Sequence, residues 1–459
     1  MSDTEAIGVL DVGKTNIKLV VFDRQSQILD QATKPNASLP GPPYLHLDTE
    51  GVWQWLLQQL GLLSQRWPIG SLVVTTHGAA PALIDEAGLV LPILDYELEP
   101  PDKIAEAYRA IAPSFAETFA PQLPAGFNMA RQIFWQQEAF PEAFGRVRHV
   151  LNYAQYLAWR LCGVAASEVT SLGAHTHLWA PNEGRLSSLV ERLGWGRLFP
   201  PIRSAWDVLD VIKPDVAART GLRSDCRVLC GLHDSNAALL LYLKSRGRNF
   251  TLASTGTWII VFSPSQPLDK LDAARDTLAN VDTTGQPVAT ARFMGGREYQ
   301  TLAGNDPATK TAPDDIQQLV EQETFALPSF APAGPFPGRV GRIVGPEPVT
   351  AATRNALATL YVALMTNVAF DLVDAQGELF VDGGFVDNEL YTGLLATLRR
   401  GQTVSVNSAK EGTATGASLL ATWHDPEIIA PLDLRPIEPV DIPGLEAYAA
   451  EWSRRAMLG

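Results

Sequence analysis

Ile7-Gly8-Val9-Leu10-Asp11-Val12-Gly13-Lys14-Thr15-Asn16-Ile17-Lys18-Leu19-Val20-Val21-Phe22 is the stretch on which the fold turns. Two β-rich apolar runs, 7–11 and 17–22, flank a polar turn around Gly13, and this pattern reads as a hairpin. Ile28 to Ala32 extends it as a third strand. Val52 to Leu63 then has helical periodicity, with Trp53, Leu56, Leu57, Leu60 and Leu63 on one side. Ser71 to Thr75 is a buried-type strand that ends in Thr76-His77-Gly78-Ala79. Strand, helix and strand in this alternation predict an α/β domain with a mixed sheet.

From Pro100 to Arg219 the chain reads as mostly helical. A second α/β rhythm follows. Val228 to Leu232 is a strand and Ser235 to Lys244 an apolar helix. Asn249 to Ala253 and Trp258 to Phe262 are strands on either side of Ser254-Thr255-Gly256-Thr257. Pro307 to Val349 is rich in Pro and Gly and reads as irregular. Asn355 to Asp374 is a long helix, Glu378 to Val381 a strand, Asn388 to Arg400 a helix, and Thr413 to Trp423 a helix opened by Gly412. Each half thus holds a strand, a Gly/Thr turn and a return strand. The pattern predicts domains at 1–233 and 234–430, with a tail at 431–459 and a cleft between the halves.

Composition bounds the function. At 459 residues two or three domains are expected, and 46% apolar with 19% charged residues suits a globular chain with ample core. The 36 Lys and Arg against 50 Asp and Glu leave a net charge of −14, which argues against a general nucleic-acid binder. Cys162, Cys226 and Cys230 are too few for a disulfide framework and fit a reducing compartment. The longest apolar run, Ala237 to Leu243, is too short to span a bilayer, and the acidic start Met1 to Glu5 is unlike a signal peptide. A cytoplasmic protein without membrane partners is expected.

Several residues have the chemistry of a site. Gly13, Lys14 and Thr15 form a turn whose successive N–H groups suit an anion, and Asp11 stands beside them as a carboxylate for hydrated Mg²⁺. Thr255, Gly256 and Thr257 repeat the turn. Each alone is also what an ordinary hairpin tip looks like; two in one chain are more specific. Gly383 and Gly384 follow a strand and leave room for a flat group. Asp234 suits either a helix N-cap or a general base, with His233 beside it. His77 and Gly78 follow a strand and so fall at a carboxyl-end crevice. Most of the tryptophans read as core; Trp258, directly after the second turn, is the one placed near a ligand.

Together these segments resemble the FGGY family of carbohydrate kinases. The resemblance runs from about Ile7 to about Trp423. It rests on Asp11–Lys18, Thr75–Asp85, Gly231–Ala237, Ser254–Val261, Val381–Leu390 and Glu411–Ala417, in the family's order. It implies an α/β fold of two actin/hexokinase/heat-shock ATPase-like (ribonuclease H-like) domains with an interdomain catalytic cleft. It also implies ATP and Mg²⁺, a sugar substrate, and closure over both; homodimers are common in the family. Asp234 matches the family's catalytic aspartate and Asp11 the carboxylate near the metal. Gly13, Lys14 and Thr15 match the first phosphate loop, and Thr255, Gly256 and Thr257 the second. Gly383, Gly384 and Asn388 match the adenosine turn and helix, and Gly412 and Ala414 the residues flanking adenine. His77, Gly78, Asp85 and His233 fall in sugar-contacting segments, as does Asp234 itself.

Lys14 departs from the Thr of many members, where a lysine either reaches the γ-phosphate or is solvated. Gly295-Gly296-Arg297-Glu298 has no assigned role. Strings such as Gly231-Leu232-His233-Asp234 look closer to rhamnulose and fuculose kinases than to glycerol kinases. Glu168 to His175 resembles the substrate side of the deoxyketose kinases, with His175 as an added hydroxyl contact. A ketose or deoxyketose is therefore expected. A pentulose or polyol kinase and a non-catalytic actin-like sensor of sugar or nucleotide are the alternatives.

Overall fold

Residues 5–304, 311–409, 411–429 and 432–458 are described by the computed structural model; positions 1–4 of the acidic start and 307–310 of the irregular stretch lie outside them. The chain divides into two compact α/β units. The first comprises Met1–Ser245, Ala279–Pro287 and Lys410–Pro431, and the second Arg246–Leu278, Val288–Ala409 and Leu432–Gly459.

The opening hairpin forms β1 (Ala6–Val12) and β2 (Asn16–Phe22), followed by β3 (Ile28–Pro35). With β4 (Ile69–Thr76), β5 (Val208–Val211), β6 (Arg227–Leu229) and β7 (Leu232–His233) they build a sheet of order β5-β6-β4-β1-β2-β3, with β7 also on β4. The pairs β1–β4, β6–β4 and β7–β4 are parallel, and β1–β2 and β2–β3 antiparallel. Helix α1 (Thr49–Leu63) starts where the Asp48 carboxylate accepts the Gly51 N–H at 2.9 Å. Its apolar positions recur every three or four residues, so Val52, Trp53, Leu56, Leu57, Leu60 and Leu63 share one buried face. That face joins a core with Leu10, Val12, Leu19, Leu72 and Val74. Each such side chain contributes about 1.5–3 kcal/mol by leaving water. Helices α2 (Tyr153–Cys162) and α3 (Asp234–Arg246) also belong to this unit. Cys162, Cys226 and Cys230 are all buried, and burial raises each thiol pKa, to about 12 for Cys226.

The second sheet comprises β8 (Phe250–Thr255), β9 (Ile259–Ser263), β10 (Thr277–Val281), β11 (Pro287–Phe293), β12 (Glu378–Gly383), β13 (Val404–Asn407) and β14 (Leu434–Pro436). Its order is β10-β11-β9-β8-β12-β13-β14, with β8, β12 and β13 parallel. Around it stand α4 (Gly295–Ala303), α5 (Pro313–Glu321), α6 (Ala351–Leu372), α7 (Glu389–Leu398) and α8 (Leu445–Leu458). By length and composition α6 would cross a membrane, but 83% of its apolar window is buried inside the protein, as in a core helix.

Two readings change. The stretch from Pro307 contains α5 and short paired strands at Phe325–Leu327 and Arg342–Val344. Pro313 stands in the first helical turn, where its missing N–H costs nothing. Strands of three residues carry too little periodicity to read. The tail, in turn, is part of the second unit: β14 pairs with β13, and α8 buries Tyr448 and Trp452, whose indole N–H donates to the Ala326 carbonyl at 2.6 Å.

Candidate functional site

In the first unit three parallel strands end side by side. Asp11 on β1 is level with Thr75 on β4, and Thr75 and Thr76 are level with Leu232 and His233 on β7. The His77 N–H donates to the Val12 carbonyl at 2.9 Å and so continues the β1–β4 ladder for one step. The carboxyl ends of adjacent parallel strands are where α/β sheets bind ligands, and here they present Asp11, His77, His233 and Asp234 together.

Asp234 is the first residue of α3, and its Oδ1 accepts the Ser235 N–H at 2.6 Å. His233 Nε2 lies 3.4 Å from the same oxygen. Burial holds both His233 and His77 below the ordinary imidazole range, so both rings are neutral at pH 7. Gly78 permits this packing, since a Cβ there would stand 2.7 Å from His233 Nε2. The His233 N–H donates to Thr170 Oγ1 at 3.0 Å, and that hydroxyl donates to the buried Glu168 at 2.7 Å. Glu168 also caps the helical turn Val169–Leu172, accepting from the Thr170 and Ser171 N–H groups. A buried relay thus anchors the backbone just before Asp234.

Burial, and next the Asp234 carboxylate, push Asp11 up to about 7. Lys18, opposite Asp11 in the hairpin, pairs with Glu411 at 2.6 Å. Asp11 and Asp234 fit a hydrated Mg²⁺, which takes one or two carboxylates and keeps its waters. Among the described residues no cluster of three or more His, Cys, Asp or Glu forms an all-protein metal cage.

The other expected residues have the following surroundings. The Gly13 N–H donates to the Asn16 carbonyl at 2.9 Å, so the turn does not offer three free donors in a row. Thr15 is exposed at the tip. Lys14 is neither solvated nor free: its Nζ lies 2.6 Å from both carboxylate oxygens of Asp95. Asp85 ends the strand Pro81–Asp85 and accepts the Ala87 N–H at 2.9 Å, a turn-forming role. His175 has φ +49° and its Nδ1 lies 3.0 Å from the Phe127 carbonyl. Gly412 and Ala414 lie on the helix Gly412–Ser418 of the first unit, where Ala414 is fully buried.

The second unit holds a groove of about 950 Å³ lined by Gly256, Thr257, Arg297, Tyr299, Phe385 and Asn388, among others. Gly384 lines it too, and Gly383 turns β12 into it with φ +90°. Thr255 ties the two turns together. Its hydroxyl donates to the Asp382 carbonyl at 2.6 Å and accepts the Phe385 N–H at 3.0 Å, and its carbonyl accepts the Gly384 N–H at 2.8 Å. That hydroxyl is therefore a strut of the groove wall. Asn388 caps α7 through the Tyr391 N–H at 3.0 Å. Gly296 docks α4 on the second turn, for a Cβ there would stand 3.1 Å from Thr257 Cα. This gives the unassigned Gly295-Gly296-Arg297-Glu298 a place: Arg297 lines the groove, and buried Glu298 accepts the Tyr361 hydroxyl at 2.6 Å. Trp258 faces the Arg292 guanidinium at 4.8 Å and is not a groove residue. Asp95, Tyr96 and Tyr299 carried no motif; only their three-dimensional neighbours mark them.

Comparison with known proteins agrees with this architecture. Residues 6–240 match the N-terminal domain of the FGGY family of carbohydrate kinases, and residues 247–429 the FGGY carbohydrate kinase C-terminal domain. L-Fuculokinase of Escherichia coli K12 is 26% identical over 285 residues, a match spanning 58% of each chain. Xylulose kinase of the same organism is 23% identical, covering 97% of this chain and 96% of that one. The crystal structure of a carbohydrate kinase from Novosphingobium aromaticivorans superposes with a TM-score of 0.91 at 36% identity, covering 100% of this chain and 99% of that one. The chain belongs to the FGGY family of carbohydrate kinases.

Proposed function

We propose that the protein is an ATP-dependent kinase of a ketose or deoxyketose. The observation that carries this reading is the meeting of Asp11, His77, His233 and Asp234 at the ends of β1, β4 and β7. A carboxylate with one oxygen held by the Ser235 N–H and side-chain exposure of 27% is fixed yet reachable, as a general base must be. The sugar hydroxyl oxygen forms the new bond to the γ-phosphorus, and the bond from that phosphorus to the β–γ bridging oxygen breaks. ADP leaves, and Asp234 takes the hydroxyl proton. Phosphoryl transfer depends mostly on positioning and charge stabilisation, so the base matters late. Neutral His77 and His233 orient sugar hydroxyls without adding charge. The groove of the second unit takes the nucleotide, with Tyr299 and Phe385 offering aromatic faces and Gly383 and Gly384 close backbone approach. Asp11 would hold Mg²⁺, which would supply neutralisation of phosphate charge.

The L-fuculokinase relative favours a deoxyketose, and the near full-length match to xylulose kinase keeps a pentulose as the second reading. MgATP chemistry and three free buried thiols go with a cytoplasmic setting. The test is ADP release from MgATP across a panel of ketoses, polyols and aldoses, with Asp234→Asn as the comparison. Removing a positioned base lowers the rate about 10²–10⁴-fold. Retention of more than roughly a tenth of the wild-type rate by Asp234→Asn would show that another group takes the proton.

A further inference from the structure

Beside His77 lies an ion pair that the phosphoryl-transfer chemistry does not require. Lys14 Nζ is 2.6 Å from both oxygens of Asp95, 3.6 Å from Glu97 and 4.6 Å above the Tyr96 ring. The Asp95 side chain is 2% exposed, and it also accepts the Ser38 hydroxyl and the Glu97 N–H. The lysine is 25% exposed. Tyr96 meets the His77 ring edge-on at 5.5 Å, so the pair and the histidine share one wall. Among the described residues His77 Nε2 is a buried polar atom without a partner, and the Tyr153 ring packs 5.7 Å from the His77 ring. His77 Nδ1 faces the Gly78 carbonyl at 3.0 Å, which assigns it the proton and leaves Nε2 as an acceptor. Buried polar atoms are seldom left unpaired. An O–H of a ligand would satisfy Nε2.

The charges on this wall nearly cancel or lean negative. Lys14 is matched by Asp95 and flanked by Glu97, and Asp234 stands beside the two histidines. We infer that the Lys14–Asp95 pair makes this subsite selective for a neutral polyhydroxyl substrate, with Asp95 aiming Lys14 at a sugar hydroxyl while cancelling the charge that would otherwise recruit a sugar acid. The inference rests on the kinase reading above and assigns its substrate class. Lys14 thereby belongs with the sugar contacts and not with the phosphate loop. Asp95 is a positioning residue, acting through the lysine. Specificity of this kind is a difference between two affinities, set here by the pairing of the Lys14 charge with Asp95.

The test measures kcat and KM for ADP release from MgATP with matched neutral and carboxylate substrates: aldose and uronate, alditol and aldonate, ketose and ketoaldonate. Wild type, Asp95→Asn, Asp95→Glu and Lys14→Met are compared. Wild type is expected to favour the neutral member of its best pair at least tenfold. Asp95→Asn exposes the lysine charge and shifts that ratio toward the carboxylate by about tenfold or more, through the KM of the acid. Asp95→Glu restores the wild-type ratio, which a merely structural role for Asp95 would not require. Lys14→Met raises KM for the neutral sugar with no gain for the acid, and this carries the test if Asp95→Asn fails to fold. Turnover of carboxylate substrates alone by the wild type, or an unchanged ratio in a folded Asp95→Asn, overturns the inference and leaves the kinase reading standing. Silence with both members of every pair overturns both.

Discussion

Replacing Gly383 by alanine tests whether the β12 turn shapes the second unit's groove. Gly383 has φ +90°, a backbone region that costs a side-chain-bearing residue about 1–2 kcal/mol. A Cβ there would also stand 3.0 Å from the Thr255 carbonyl carbon and 3.1 Å from its nitrogen, and nearer still to the oxygen. Backbone at the end of β8 must therefore retreat. Thr255 joins the two turns through its bonds to Gly384, Phe385 and Asp382. Losing one or two of them adds about 0.5–1.5 kcal/mol each. The sum is about 1.5–5 kcal/mol. For a domain of roughly two hundred residues that lowers the unfolding midpoint by roughly 3–20 °C. Gly384→Ala is the internal comparison, because its Cβ would meet only the Thr255 oxygen at 3.9 Å; Gly401→Ala meets nothing within 4 Å. Calorimetric unfolding with and without ADP reads both effects. The Gly383 variant should lose midpoint and bind ADP more weakly, and Gly401→Ala should stay within about 0.5 kcal/mol of wild type. A Gly383→Ala midpoint within a degree of wild type, or unaltered ADP affinity, would refute the reasoning.

Asp11 makes a pH-dependent prediction. Its carboxyl, at about 7 when folded against an ordinary 3.8, holds its proton more tightly in the folded state, so it lowers stability as pH rises from about 4 to about 7. Asp11→Asn should unfold at a higher temperature than wild type at pH 8, and the gap should close near pH 4; a gap independent of pH sinks the assignment. Adding Mg²⁺ at pH 8 should raise the wild-type midpoint and leave the variant unmoved, since a ligand stabilises only the state that binds it. Thr170→Val should cost about 1–3 kcal/mol, because it strands the buried His233 N–H and removes a donor from Glu168. Its kcat should fall while Thr170→Ser stays near wild type; equal kcat in both variants would free Thr170 of any part in placing Asp234.

Much of the fold was readable because its signals are local. The opening hairpin, α1 and the strand before His77 each announce themselves within about fifteen residues, and the two Gly/Thr turns mark the paired halves. The segment from Pro313 to Val344 was missed for the opposite reason, since short strands and a proline in a first helical turn carry little pattern. Within the site, Asp11, His77, His233 and Asp234 could be singled out as residues at strand ends. Their meeting was implied only by the family resemblance, for it depends on β1, β4 and β7 aligning in parallel register across more than two hundred positions.

Residue types and turns along the chain determined the two α/β halves, the glycines that permit close backbone approach, and the carboxylate placed before an apolar helix. Tertiary structure alone decided what those groups face. Lys14 reads from sequence as a phosphate ligand or a solvated cation, and the fold pairs it with Asp95, 81 positions away. Thr255 looked like a phosphate ligand until its hydroxyl closed onto Asp382. Partners of this kind are fixed by packing between distant segments, and a charge or hydroxyl acquires its role only from the partner that the fold brings within about 3 Å.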